Sequence, residues 1–122
     1  IIAKNISTNI MPPIVSQTIK FVEAHISDDF SLADIEDSLN FNSRYLSRTF
    51  KQYTGISLKQ YIIEKKISYA ESLLTQGLSV TETCYKSGFN DYSNFIRTFK
   101  QYTGQTPGAF KKQKQCYFIN NK

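Results

Sequence analysis

The chain is poor in the residues that carry covalent and metal chemistry. It has two cysteines, Cys84 and Cys116, one histidine, His25, and no tryptophan. The cysteines form no CxxC pair and do not cluster with the histidine, so neither a metal-ligand set nor a disulfide framework is written here. An enzyme would need a nucleophile, a base or a metal set, and His25 has no partner in any motif. It is expected near the end of the first helix as a surface or capping residue. Cys84 is expected in the core as a small hydrophobe. With five glycines and no glycine-rich phosphate loop, phosphate-transfer chemistry has no signal either. No catalysis and no cofactor is expected. Nothing approaches the roughly 20 apolar residues of a membrane span, and no signal-peptide pattern opens the chain. These absences lead to the expectation of a reducing, cytoplasmic setting and no membrane partner. Sustained apolar–polar alternation is missing as well, which excludes strands and leaves an all-α chain.

What is present is enough for a fold. Apolar residues make up 40% and aromatics 14% of 122 residues, which suits one domain or two very small ones. The net charge of +5 is unevenly placed. Residues 1–40 carry two lysines against six acids, net −4, and residues 41–122 carry thirteen Lys or Arg against four acids, net +9. A basic balance can serve solubility alone, but segregating it along the chain favours a polyanionic partner. The opening on Ile1 rather than Met, and the polar, Ile-rich residues 1–12, lead to the expectation of a piece of a longer protein.

The octapeptide "RTFKQYTG" occurs twice, at 48–55 and at 97–104. A larger pattern surrounds each copy. Ser31 with Asp34 resembles a capping box, and Ser79 with Glu82 repeats it 48 residues later. "NFN" at 40–42 is answered by "GFN" at 88–90; beyond it the offset is 49, so the second copy carries one extra residue in its turn. Each copy therefore reads as two short helices joined by a tight turn at Asn40 or Gly88, a helix-turn-helix in outline. A helix over about Ile14–His25 precedes them, buried through Ile14, Thr18, Ile19, Val22 and Ile26. A long helix over Ser57–Thr75 joins them, with Ile63, Ile67, Ala70 and Leu74 as its stripe. A last short helix starts with Thr106 as N-cap and Pro107 at N1.

On the second helix of each copy the apolar face is Leu46, Thr49, Phe50 and Tyr53, then Phe95, Thr98, Phe99 and Tyr102. The opposite faces are Arg44, Ser47, Arg48 and Lys51, then Ser93, Ile96, Arg97 and Lys100. Such a basic face has the width and charge to enter a DNA major groove. The shared residues, Arg48 with Arg97 and Lys51 with Lys100, suit phosphates; the differing ones, Arg44 and Ser47 against Ser93 and Ile96, suit different bases. Ordinary solvated helix faces are the bland alternative for one copy. RNA is less suited than duplex DNA, because the Phe and Tyr residues sit largely at core spacing.

The stretches "SLADI…NFNSRYLSRTFKQYTG", "YIIEKKISYAESLL" and "SVTETCYKSGFNDYSNFIRTFKQYTGQTP" resemble the DNA-binding domain of the AraC/XylS regulators, over about Ile14–Lys112. The resemblance implies seven helices in two helix-turn-helix subdomains held by a long linker helix. Its expected divisions are 1–12 (linker), 13–56 (first subdomain), 57–76 (linker helix), 77–114 (second subdomain) and 115–122 (tail). It implies double-stranded DNA as partner, with Arg44, Ser47 and Arg48, and then Tyr92, Ser93, Ile96 and Arg97, reading bases. Asn42, Ser43, Lys51, Asn90, Lys100, Lys111 and Lys112 are the expected phosphate set. It further implies a promoter regulator, expected as an activator with repression left open, with RNA polymerase as partner and a sensor or dimerisation domain elsewhere; this stretch itself is expected to be monomeric. The alternative is a protein-interaction module using the acidic face of residues 23–37. Glu36 and Cys84 stand where the family usually places a small buried alanine, and Lys66 replaces a usual arginine.

Overall fold

The computed structural model describes residues 11–120. Most of the expected opening linker, residues 1–10, lies outside the described residues, as do the last two of the tail. Seven helices follow one another: α1 Pro13–Ala24, α2 Leu32–Leu39, α3 Ser43–Thr54, α4 Leu58–Thr75, α5 Val80–Lys86, α6 Tyr92–Thr103 and α7 Pro107–Asn120. No strand occurs among the described residues. The last helix is longer than the short one expected and runs past residue 114.

The local signals act as their chemistry dictates. In both capping boxes the serine accepts from the backbone N–H three residues on, and that residue's carboxylate accepts from the serine N–H, for Ser31 with Asp34 and for Ser79 with Glu82. Glu82 titrates below the usual carboxylate range because of these bonds from Ser79. The turn after α2 is made by Asn40 at φ 59°, the position answered by Gly88 at φ 87°. Asn42 caps α3, accepting from Arg44 N at 2.9 Å and Tyr45 N at 3.3 Å. In the second copy the cap is Asp91, accepting from Asn94 N at 3.2 Å. The cap has moved on by 49 positions, leaving Asn90 as the extra turn residue.

The octapeptide's last two letters form a helix stop. Thr54 donates to Phe50 O at 2.8 Å and accepts from Ile56 N at 3.3 Å. Thr103 repeats both bonds, to Phe99 O at 2.8 Å and from Gln105 N at 3.3 Å. Gly55 and Gly104 then turn left-handed at φ 86° and 87°. His25 ends α1 as a capping residue: its N–H reaches Phe21 O at 3.0 Å, and its ring stacks on Phe21 with centroids 4.1 Å apart.

The chain forms two compact units. Residues up to His25 with Phe30–Tyr61 make the first; Ile26–Asp29 with residues from Ile62 onward make the second. In the first, α1, α2 and α3 pack on one another around buried Ile14, Val15, Val22, Ile35, Leu46, Phe50 and Leu58. Thr18 is buried there too, its hydroxyl donating to Ile14 O at 2.7 Å. In the second, Ile67, Ala70 and Leu74 of α4 close on Cys84, Phe95, Phe99 and Phe110. Each fully buried Val, Ile, Leu or Phe among them contributes about 1.5–3 kcal/mol. The expected stripe of α4 is there, with Ile63 half-buried at its edge; Ile19 and Ile26 of the expected α1 face are also only half-buried.

Two of the unusual residues find partners. Glu36 is half-buried, and its carboxylate accepts from Ser43 N at 2.8 Å, so it is not a lone buried charge. Cys84 is fully buried with its thiol donating to Phe89 O at 3.8 Å, and that burial, with Asp91 nearby, pushes its pKa up.

Candidate nucleic-acid interface

Each second helix turns its aromatic half inward and its basic half out. Leu46 and Phe50 of α3, and Phe95 and Phe99 of α6, are wholly buried. On the other side Arg44, Arg48 and Lys51 of α3 are exposed, with Ser47 half-buried; on α6, Tyr92, Ser93, Arg97 and Lys100 are exposed. Three expected positions fall elsewhere. Ile96, read as an outward tip, is half-buried and packs against the second core. Tyr53 and Tyr102, read as inward, are 36% and 37% exposed, so both lie at the margin of the apolar face. The equal exposure of these matched tyrosines shows how closely the copies repeat.

The basic residues differ in how they are held. Arg97 donates to Asn94 Oδ1 at 3.4 Å, one turn back along α6. In the first unit Ser47, Arg48 and Lys51 line a hollow of about 580 Å³ with Leu32, Gln52, Ser57, Leu58 and Lys59. It joins three cations to an apolar floor and has no carboxylate in its wall. Lys59 is the residue that the octapeptide could not flag, since it lies outside the repeat. The exposed Tyr45, 50% accessible beside Arg44, was also missed, because its match in the second copy is Asn94.

The expected phosphate set is less uniform. Lys51, Lys100 and Lys112 are exposed and Lys111 is half-buried. Asn42 has its carbonyl oxygen engaged as a cap. Ser43 has its N–H engaged by Glu36, which leaves it only a hydroxyl to offer. Asn90 donates its amide to Asp29 Oδ2 at 2.6 Å. Lys114, at the far end of the same basic run as Lys111 and Lys112, lies 5.4 Å over the Phe110 ring. No group of three metal-ligating side chains occurs among the described residues, and no described helix is long and apolar enough to cross a membrane.

Comparison with known proteins agrees with this geometry. The profile of a helix-turn-helix domain matches residues 35–113, from within α2 into α7. The Msm operon regulatory protein of Streptococcus mutans is 31% identical over 102 residues, covering 83% of this chain and 37% of that protein. The chain thus spans little more than a third of that relative's length. Among solved structures, a transcriptional regulator of Chromobacterium violaceum described as AraC-type DNA-binding domain-containing is 28% identical, with a TM-score of 0.75 over 84% of this chain and 92% of that one. The DNA-binding domain of AdpA, solved in complex with a target DNA, shares the fold at 21% identity and a TM-score of 0.79, over 84% of this chain and 94% of that one. With the domain profile covering both turns and both octapeptides, the chain belongs to the AraC-type helix-turn-helix family of DNA-binding transcription regulators.

Proposed function

We propose that the chain reads a two-part duplex site in a bacterial promoter, with α3 and α6 in successive major-groove segments. Arg44, Ser47 and Arg48 read bases in one half; Tyr92, Ser93, Arg97 and the exposed edge of Ile96 read them in the other. An arginine at such a tip pairs with guanine, and an aliphatic edge meets a thymine methyl. Lys51, Lys100, Lys111 and Lys112 hold phosphates, with Asn42, Ser43 and Asn90 in a lesser part, and Lys59 joins them from the hollow. One observation carries the reading: two helices present the same cations at matched positions and different residues at their tips. On the family alone, RNA polymerase is the added partner, activation the outcome, and the bacterial cytoplasm the place. The interaction-module alternative is less favoured, because Asp29, Asp34 and Glu36 of the acidic face are already engaged within the chain.

Selection from random duplexes, followed by gel shift against duplex, single-stranded DNA and RNA, tests this. The chain should select one asymmetric, bipartite duplex, as a monomer at micromolar concentration and with no small molecule added. Equal binding to all three nucleic acids would overturn the reading.

A further inference from the structure

Lys66 is a cation in the wrong place for a surface helix. It lies on α4 with only 6% of its area exposed. Its ammonium donates to Asp28 O at 2.6 Å and to Ile26 O at 3.1 Å. Burial lowers its pKa, and Asp29 and Asp28 push it partly back up; an ammonium is kept in such a place by its acceptors.

The acceptors belong to Ile26–Asp29, a strap that precedes α2 in sequence yet is part of the second unit. Across the strap lies the turn between α5 and α6. Asn90 donates to Asp29 Oδ2 at 2.6 Å. Gly88 is buried at φ 87°, and a Cβ there would stand 2.8 Å from Asp28 O and 2.9 Å from Ile26 O and would collide with Lys66 Nζ. The turn backbone is thus seated on the strap and on the lysine together. Three residues after Gly88 comes Asp91, the cap from which α6 starts.

We propose that Lys66 is a positioning residue for base reading by α6. It holds the strap, the strap holds the turn at Gly88 and Asn90, and the turn sets where the second recognition helix begins. The proposal rests on the major-groove reading above, but its first link is a property of the free protein and can be measured without DNA.

Two substitutions test it in the intact chain. Lys66→Met keeps an unbranched stem and removes the donors; Lys66→Arg restores them. In Lys66→Met the amides of Gly88 and Phe89, bonded to Tyr85 O and Cys84 O, should exchange with solvent about tenfold faster or more, and those of α3 should not change. Discrimination at the α6 half of the selected duplex should fall about tenfold, the worth of one good base contact, while the α3 half keeps its preference. Lys66→Arg should return both measurements towards the parent. If Lys66→Met does not fold, Asp29→Ala, which cuts the tie to Asn90 and removes no residue assigned to DNA, should give the same one-sided pattern in weaker form. Unchanged turn amides in a folded Lys66→Met, or a loss shared equally by both halves, would overturn the proposal. A parent chain that selects no bipartite duplex would instead overturn the DNA reading, and the exchange rates would still decide whether Lys66 holds the turn.

Discussion

The two helix-turn-helix copies agree in their second helices and part company in their first. At an offset of 49, α3 and α6 share one buried phenylalanine (Phe50 and Phe99), two cations, the threonine stop and the left-handed glycine. At an offset of 48, α2 buries Ile35 where α5 buries Thr83, both at 0% exposure, and ends on Leu39 where Ser87 caps α5. Ser87 satisfies itself, donating to Thr83 O at 2.6 Å. The Thr83 hydroxyl has no hydrogen-bond partner among the described residues. The helix that would meet DNA thus keeps its second half in both copies, while the helix that supports it buries an isoleucine in one and a threonine beside a cysteine in the other. A shared surface does not require a shared core, only one that holds the helix at the same angle.

The strongest way to break the comparison is to ask whether the two copies act as one reader. The 18 residues of α4 span about 27 Å at 1.5 Å each, near the 34–36 Å between major-groove segments on one face of B-DNA. Five added base pairs between the half-sites turn the second groove to the far side. Affinity should then fall to that of a single unit, about 10²–10⁴-fold if the second contact is wholly lost. Undiminished binding in a gel shift would mean two flexibly tethered readers.

Exchanging the core residues comes next in size. Ile35→Thr places an unpaired hydroxyl in the first core and removes apolar volume, at a cost of about 2–4 kcal/mol. Thr83→Val removes the orphan hydroxyl at nearly constant shape and should stabilise by about 1 kcal/mol. Denaturant melts of both variants measure the pair. If Thr83→Val destabilises, the second core depends on that hydroxyl in a way its surroundings do not reveal.

The tips give a smaller effect and a sharper one. Arg44→Ala should cost about 1–3 kcal/mol and relax choice at one base position. Ile96→Ser should alter choice in the other half, with some loss of stability because Ile96 also packs against the core. Reselection on random duplexes would sink the division of labour if both variants chose the parent sequence more weakly.

What could be read from the sequence follows the reach of each signal. Caps, stops and helix faces depend on residues one to four positions apart, so Ser31 with Asp34, Gly55, and the Leu46–Phe50 face were all legible. The pairings that were not legible span the chain. Lys66 meets carbonyls 38 and 40 positions away, and Asn90 meets Asp29 across 61; no periodicity encodes such distances. Glu36 shows the intermediate case: its position implied burial, but its partner, Ser43 N, lies over the turn. Ile96 was misread because a helical wheel assigns a direction and not a depth, and the second core extends to the shoulder of α6.

The least disruptive change tests the part the copies share. Lys51 and Lys100 occupy the same place in the two octapeptides, and both are exposed. If they hold phosphates, binding should weaken with salt at a log–log slope of about −0.9 per phosphate neutralised. Lys51→Ala and Lys100→Ala should then each flatten the slope by about one unit, alike in size and on any duplex, because phosphate contacts carry no sequence. The first unit would lose less if Arg48 or Lys59, which stand in the same hollow as Lys51, took over its phosphate. Counterion release nevertheless counts contacts made, and neither Arg48 on a base nor Lys59 already on its own phosphate can take over the contact that Lys51 gives up. Titrations of the two variants at several salt concentrations would therefore give equal slopes if the grips are independent. A flattening at Lys100 alone would mean that Lys51 is a solvated charge and that the repeated octapeptide repeats a helix rather than a contact.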